Sequence, residues 1–191
     1  MVRKEERSPN QVLQRQRIIE GAKALLLRSG PAGCSSRAIA AETGLGNGLI
    51  HYYFGGIQEI VDIAMAELYA EVRRRIVAAA AREPDPVDRL WAVVDEYLTA
   101  FGPGHAVLWF DYWVSELRGG EPGRIDEIHQ GSTRMLTEIL TDAGVPAPEI
   151  RARAVYAYVI GLVLIRETSP RDIDQLREEL RSICGDVVAD R

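Results

Sequence analysis

Residues 35–54 read SSRAIAAETGLGNGLIHYYF, and this stretch predicts two short helices joined by a tight turn. The two serines at its start are suited to a helix N-terminus because their hydroxyls accept hydrogen bonds from free backbone amides. Gly44 suits the turn, since glycine adopts the positive φ that ends a helix sharply. The second helix, residues 47–53, is too short to form a core of its own. We therefore predict that it docks into a groove of DNA.

The order of small, apolar and aromatic residues in this stretch resembles the helix-turn-helix of the TetR family of transcriptional regulators. The shared features are an Ile-Ala pair, a Thr-Gly-Leu turn, a further glycine and an aromatic end, here Ile39-Ala40, Thr43-Gly44-Leu45, Gly48 and Tyr52-Tyr53-Phe54. Residues 48–55 are similar to those of choline-responsive members of the family. The resemblance implies a homodimeric repressor that binds a palindromic operator and is released by a small-molecule effector.

Clusters of proline and glycine divide the rest of the chain into segments of helical length. Apolar residues recur at helical spacing within these segments, and no alternating strand pattern is present. The predicted helices cover residues 10–29, 36–43, 47–53, 57–82, 86–101, 105–118, 123–143, 148–167 and 171–188. Their number and order resemble those of the TetR family. The prediction is an all-α fold with a DNA-binding domain at residues 1–56 and a ligand-binding and dimerisation domain at residues 57–191.

Charge is distributed unevenly along a chain whose net charge is −5. Residues 1–54 contain eight basic and four acidic side chains, which leaves fifteen basic and twenty-four acidic ones for the remainder. An acidic body would orient the protein basic end first on DNA. No Lys or Arg occurs at residues 38–72, so phosphate binding depends on the basic residues before that span. They are Arg3, Lys4, Arg7, Arg15, Arg17, Lys23, Arg28 and Arg37.

The resemblance assigns the base and phosphate contacts to the second helix of the motif and to the start of the first. The residues at those positions are Ser36, Arg37, Asn47, Gly48, Leu49, His51, Tyr52 and Tyr53. Asn pairs with adenine through two hydrogen bonds, and Tyr hydroxyls donate to phosphate oxygens. Three positions depart from the family pattern. Gly46 replaces a Ser or Thr cap, His51 replaces a common tyrosine, and Ile57 replaces a lysine.

Aromatic side chains concentrate on the fifth and sixth predicted helices, and Trp109, Tyr112 and Trp113 share one helical face. The stripe fits either an ordinary core or the wall of the effector pocket that the resemblance implies. The candidate effector-binding residues are Trp91, Tyr97, Phe101, Trp109, Tyr112, Trp113 and Glu116. Nearby acidic residues, namely Asp95, Glu96, Asp111 and Glu116, suggest an aromatic cage for a cation. A flat hydrophobic or aromatic effector would use the same side chains.

The eighth predicted helix is apolar on nearly all sides, so it needs neighbours. With the ninth helix it could form a four-helix bundle with a second copy, as the family does. An intramolecular core helix is the alternative. The candidate interface residues are Val155, Val159, Leu162, Val163, Ile173, Leu176 and Leu180. A dimer would place two recognition helices about 34–36 Å apart, one turn of DNA.

Motifs of enzymes are missing: the chain has no GxSxG, phosphate loop or HExxH, and its three histidines lie on separate segments. Cys34 and Cys184 lack the spacing of a metal site, so we expect two free thiols in a reducing cytoplasm and no metal or cofactor. Residues 1–10 lack a signal-peptide core, and the apolar run at 154–165 is too short to span a bilayer. A helical protein-interaction module that does not bind DNA is the competing interpretation, and activation is as compatible with the sequence as repression.

Overall fold

In the computed structural model, residues 8–100, 105–119, 123–165 and 173–184 are described, and their regular structure is entirely helical. The helices of this part are α1 (Pro9–Gly33), α2 (Ser36–Thr43), α3 (Asn47–Tyr53), α4 (Ile57–Arg82), α5 (Pro86–Ala100), α6 (His105–Gly119), α7 (Gly123–Asp142), α8 (Pro148–Ile165) and α9 (Ile173–Cys184). The predicted all-α fold is confirmed, and the predicted bounds of α2, α3 and α4 agree to the residue.

Side-chain caps fix where α1 and α2 begin. The Ser8 hydroxyl accepts from the backbone N–H of Gln11 at 3.4 Å, and the Gln11 side chain accepts from the N–H of Ser8 at 2.8 Å. These reciprocal bonds satisfy two amides that the first turn leaves free. At α2 the Ser35 hydroxyl accepts from the N–H of Ala38 at 3.2 Å. Gly44, with φ of 67°, ends α2 in the left-handed region as predicted.

The chain forms two compact units that divide inside α4, between Glu71 and Val72. The first unit, residues 1–71, includes α1 to α3 and the start of α4. Buried side chains of α4 such as Ile60 and Met65 belong to it. The units therefore divide later than the domain boundary expected at residue 56, because the first turns of α4 help to build the core under the helix-turn-helix.

The second unit, residues 72–191, has a core drawn mainly from α5, α7, α8 and α9. Five of the residues expected at a dimer interface are instead buried in this core: Val155, Val159, Leu162, Val163 and Leu180. The predicted interface does not fit the structure at these positions. The physical reason is that α8 is apolar all round, so periodicity does not reveal which face turns inward. The side chains of Ile173 and Leu176 lie outside the described residues.

Both cysteines are buried free thiols, one in each unit. Burial raises the pKa of Cys34 to about 11. Burial likewise raises the pKa of Cys184 to about 11, although the charge of Arg151 opposes the shift. No helix in the described parts of the chain is long and apolar enough to cross a membrane.

Candidate nucleic-acid and effector sites

The recognition helix α3 is attached to the first unit by very few side chains. Ile50, 1% exposed, is its buried residue, and Phe54 just beyond its end is 4% exposed. The predicted DNA contacts point away from this anchor. Asn47, Gly48, His51 and Tyr52 are exposed, while Leu49 and Tyr53 are half-buried. This division is what a short helix needs if one face packs on the protein and the other enters a groove.

Tyr52 is the most prominent side chain of α3, with 68% of its surface exposed. The Nε2 of Gln11 donates to its hydroxyl at 3.4 Å, and the Tyr53 ring meets its ring edge to face at 5.1 Å. Gln11 therefore serves both the cap of α1 and the orientation of Tyr52. Gln11 was not among the site residues predicted from sequence, although the serine three positions before it forms a recognisable capping box with it.

The start of α2 places the two predicted phosphate contacts beside each other. Arg37 is exposed and Ser36 is half-buried. Ser35 takes the capping role, so the Ser36 hydroxyl is not needed for the cap. The start of α3 differs, since Gly46 provides no side-chain hydrogen bond there. The departure from the family pattern at this position thus has a structural counterpart: α3 begins with its amides uncapped by a side chain.

Four of the eight basic residues expected to bind phosphate have partners within the protein. Arg17 donates to the carbonyl oxygen of Thr43 at 2.8 Å, at the end of α2. Arg28 pairs with Glu42 at 2.7 Å, and the Arg15 guanidinium lies 4.8 Å from the centre of the Phe54 ring. These contacts fasten α1 to α2 and to the end of α3. The others are Lys23, which is buried, Arg37, which is exposed, and Arg3, Lys4 and Arg7, which lie outside the described residues.

The expectation that Lys23 binds phosphate is wrong, because this side chain is 8% exposed and cannot reach DNA. Its ammonium group lies 3.2 Å from Glu20 and 3.8 Å from Glu67, and it donates a short hydrogen bond to Glu71. Burial lowers the pKa of Lys23, but the bonds to Glu71 and Glu20 outweigh burial and raise it above its ordinary value. The positive charge is therefore secured between α1 and α4.

The second unit contains a row of aromatic rings that joins four helices. Trp113 of α6 stands 4.6 Å from His129 of α7, measured between ring centres. His129 lies 5.4 Å from Tyr156 of α8, which lies 6.2 Å from Tyr97 of α5. All three contacts are edge to face, the arrangement that aromatic quadrupoles favour. Tyr97 and Tyr156 are buried, whereas Trp113 and His129 are half-buried and form the more accessible end of the row.

His129 and Tyr156 were not among the predicted effector residues. From sequence, α8 was expected at the dimer interface, with a core helix as the alternative, and α7 was given no functional role. Burial lowers the pKa of His129, although the charge of Asp126 opposes the shift. Its imidazole is accordingly neutral near pH 7, where it has one nitrogen that donates and one that accepts. Apart from its position close behind an aromatic stripe in the chain, no sequence signal marks this histidine.

The structure gives other contacts for the remaining predicted effector residues. Trp109 and Tyr112 are neighbours, 6.4 Å apart, with Tyr112 buried. The Trp91 ring lies 5.7 Å from the guanidinium carbon of Arg181. Glu116 is half-buried, and Phe101 lies outside the described residues.

Two of the acidic residues considered for a cation site are already engaged in ion pairs. Asp95 binds Arg177 at 2.8 Å, and Glu96 binds Arg75 at 2.7 Å. Asp111 is exposed. An aromatic cage for a cation would therefore have to rely on Glu116 and the rings rather than on the four carboxylates together.

The sequence is similar to those of bacterial transcriptional regulators. Residues 18–63 match the family model of bacterial regulatory proteins of the tetR family. The HTH-type transcriptional regulator BetI of Agrobacterium fabrum is 27% identical over 124 residues, which are 64% of this chain and 60% of that protein. The matched residues therefore cover less than two thirds of the length of this relative.

Two solved structures illustrate the likeness in fold. A transcriptional regulator from Pseudomonas aeruginosa PAO1 has a TM-score of 0.75 at 24% identity, covering 99% of this chain and 96% of that one. The ketosteroid transcriptional regulator KstR2 of Mycobacterium tuberculosis has a TM-score of 0.62 at 18% identity, covering 92% and 93%. At these identities the structures establish a shared fold and leave the effector undetermined.

Proposed function

The chain belongs to the TetR family of bacterial regulatory proteins, and we propose that it is a ligand-responsive transcriptional regulator. It binds a palindromic operator as a homodimer in the cytoplasm, represses transcription, and is released by a small-molecule effector. The observation that carries the proposal is α3, a seven-residue helix anchored by Ile50 with its polar face open. The exposed face of so short a helix contributes little to the stability of its unit, but the helix has the dimensions of a major-groove reader.

The DNA contacts we assign divide into those that specify and those that position. Asn47 at the start of α3 reads a base, and the Tyr52 hydroxyl and Arg37 bind phosphate. Because Lys23, Arg17 and Arg28 have structural roles, few cations remain for phosphate. We expect a modest salt dependence, with a slope of log affinity against log salt shallower than about −8.

Fluorescence anisotropy on duplex DNA selected by the full-length protein tests these assignments. Asn47→Ala should weaken binding to the selected operator and leave scrambled DNA unaffected. Arg37→Gln should weaken both and reduce the salt slope by about 1. Gln175→Ala, an exposed change on α9, is the control. If Asn47→Ala and Tyr52→Ala both bind operator and scrambled DNA like the parent protein, α3 is not the reader.

For the dimer, we propose the side of α8 that faces away from the core. Its exposed apolar residues include Ile150, 63% exposed, Leu164, 41%, and Ile165, 43%. Ala154, Ala157 and Gly161 lie between them at helical spacing and permit close approach of a second helix. We propose this surface as the dimer interface in place of the buried valines and leucines predicted from sequence. An interface here leaves the core of the protomer intact.

Light scattering after size exclusion tests the interface. Leu164→Glu should convert a dimer to a folded monomer. Val114→Glu on α6 is the matched control, since Val114 is also 41% exposed and carries the same change in charge. A protein that remains dimeric with Leu164→Glu would place the interface elsewhere.

For the effector, we propose a flat aromatic or hydrophobic compound that stacks at the accessible end of the ring row, against Trp113 and His129. The engagement of Asp95 and Glu96 in ion pairs favours such a compound over a quaternary ammonium ion. Because α4 is continuous across the division of the units, it is the element through which ligand binding would reach the reader. Release requires that the effector bind the two states with different affinity.

Differential scanning fluorimetry can separate the two effector classes. Flat aromatic acids and phenols form one panel, and choline, betaine aldehyde and lipophilic cations form the other. We expect a thermal shift with members of the first panel that Trp113→Ala removes. A shift with choline alone would favour the cation cage, and a shift that survives Trp113→Ala would move the site away from the row.

A further inference from the structure

A second concave surface lies on the unit of residues 72–191, between the end of α4, the start of α5 and one face of α7. It is an open groove of about 820 Å³, within the size range of sites for small organic ligands. None of the rings in the aromatic row lines it. The groove is thus a separate feature, and the proposed regulator function does not account for it.

Arginine dominates the polar lining of this groove. Arg73, Arg82, Arg89 and Arg134 line it, against the carboxylates of Glu83 and Glu138. The unit as a whole has the opposite balance, with fifteen basic and twenty acidic side chains. Four guanidinium groups in one concavity of an acidic body create a local positive potential that a small anion would experience.

Of the four arginines, Arg89 alone has side-chain hydrogen bonds or an ion pair with described residues. Arg89 donates to the carbonyl oxygens of Glu83 and Pro84, both at 3.1 Å, and pairs with Asp142 at 3.2 Å. Within the described residues, Arg73, Arg82 and Arg134 are exposed and have no hydrogen bond or ion pair. Their donors are available to a ligand, and a guanidinium binds carboxylate or phosphate through two parallel hydrogen bonds.

The remaining lining is apolar. Val77, 48% exposed, and the half-buried Met135 face the groove together with alanines of α4. Gly131 on α7 also lines it, and a Cβ atom added there would meet no atom within 4 Å outside the local helix backbone. An apolar floor beside free guanidinium groups is complementary to a molecule with an acidic head and a hydrocarbon body.

We propose that this groove binds an amphipathic organic anion, whose carboxylate or phosphate is held by Arg73, Arg82 and Arg134 and whose apolar part lies along Val77 and Met135. The site is distinct from the aromatic row. It would give the protein a second ligand, chemically different from the flat aromatic or hydrophobic compound proposed for that row.

Isothermal titration of the full-length protein tests the charge preference directly. Octanoate, octyl phosphate and octyltrimethylammonium carry the same hydrocarbon chain, so the head group is the variable. We expect at least one of the two anions to bind at least about tenfold more tightly than the cation. Comparison of octanoate with octyl phosphate distinguishes the two acidic head groups. Absence of heat with both anions, or equal binding of the cation, would overturn the proposal.

Substitutions then locate the site. The double change Arg73→Gln and Arg134→Gln should weaken the preferred anion about tenfold or more. Arg118→Gln, an exposed arginine of α6 outside the groove, should leave its affinity unchanged. Gly131→Phe should fill the groove and block binding, whereas Gly131→Ala should retain it, with circular dichroism confirming that both variants are folded. Undiminished binding to a folded Gly131→Phe protein would place the ligand elsewhere. Because no DNA is present, the result is independent of the operator experiments.

Discussion

The two units differ in where they keep their functional side chains. In residues 1–71 the candidate contacts stand on the surface: α3 turns Asn47, His51 and Tyr52 outward and keeps Ile50 as its buried anchor. In residues 72–191 the candidate effector row runs into the core, where Tyr97 and Tyr156 are also packing residues. On these assignments, different residues of the first unit provide stability and recognition, whereas in the second unit the same rings would serve both.

This difference predicts how each unit responds to substitution. A change on the exposed side of α3 should alter DNA binding at nearly constant stability. A change at the inner end of the ring row should alter both together, because removal of a buried ring leaves a cavity.

The largest effect is expected at the anchor of the recognition helix. Ile50→Ala should lower the free energy of unfolding of the first unit by about 3 kcal/mol, since it removes a fully buried side chain. Tyr52→Ala on the same helix should change it by less than about 0.5 kcal/mol while weakening DNA binding. Urea denaturation followed by circular dichroism measures both. Equal losses of stability would contradict the separation of roles.

The buried lysine should give the next largest effect. Lys23→Met keeps the apolar stem but removes the charge that Glu20, Glu67 and Glu71 surround. We expect a loss of about 1–2 kcal/mol, less than for a fully buried pair because these carboxylates are partly in solvent. Arg28→Met is the control in the same unit, where the exposed pair with Glu42 should matter less. A larger loss for Arg28→Met would reverse the ranking.

Two glycines of the helix-turn-helix should respond in opposite directions and by smaller amounts. Gly46 has an ordinary φ of −67° and open space for a side chain, so Gly46→Ser can add the missing cap. We expect a gain of about 0.5 kcal/mol. Gly44→Ala should cost about 1 kcal/mol, because its φ of 67° strains any side chain. Thermal unfolding of the two variants provides the comparison, and a gain from both would contradict it.

The smallest effect concerns pH. Burial lowers the pKa of His129 in the folded protein, so the unfolded chain takes up the proton first as pH falls below about 6.5. The free energy of unfolding should therefore decrease as pH falls from about 6.5 to the pKa of His129 in the folded protein. Above about pH 6.5 this histidine should have no effect on stability. His129→Gln should flatten the dependence of the unfolding free energy on pH between about 7.5 and 5.5. Parallel curves for the two proteins would show that His129 does not contribute.

The sequence predicted the first unit better than the second, for a physical reason. Helix starts and turns depend on neighbours a few residues away, so Ser35 and Gly44 revealed α2 and its end. Which face of a helix turns inward depends on distant residues. The inward face of α8 was therefore mistaken for a dimer surface, and the meeting of Trp113 with His129 was not foreseen. The same limit applies to Lys23, whose partners on α4 lie far along the chain.

The two buried thiols have a practical consequence for measuring this protein. With a pKa of about 11, each is a thiolate in only about one molecule in ten thousand at pH 7, and both side chains are shielded from reagents. A cysteine placed on the surface, such as Ala66→Cys on the exposed side of α4, would react alone without removal of the native pair. Spin labels attached at this position in the two protomers of a dimer would report the distance between the two copies of the first unit as effector is added.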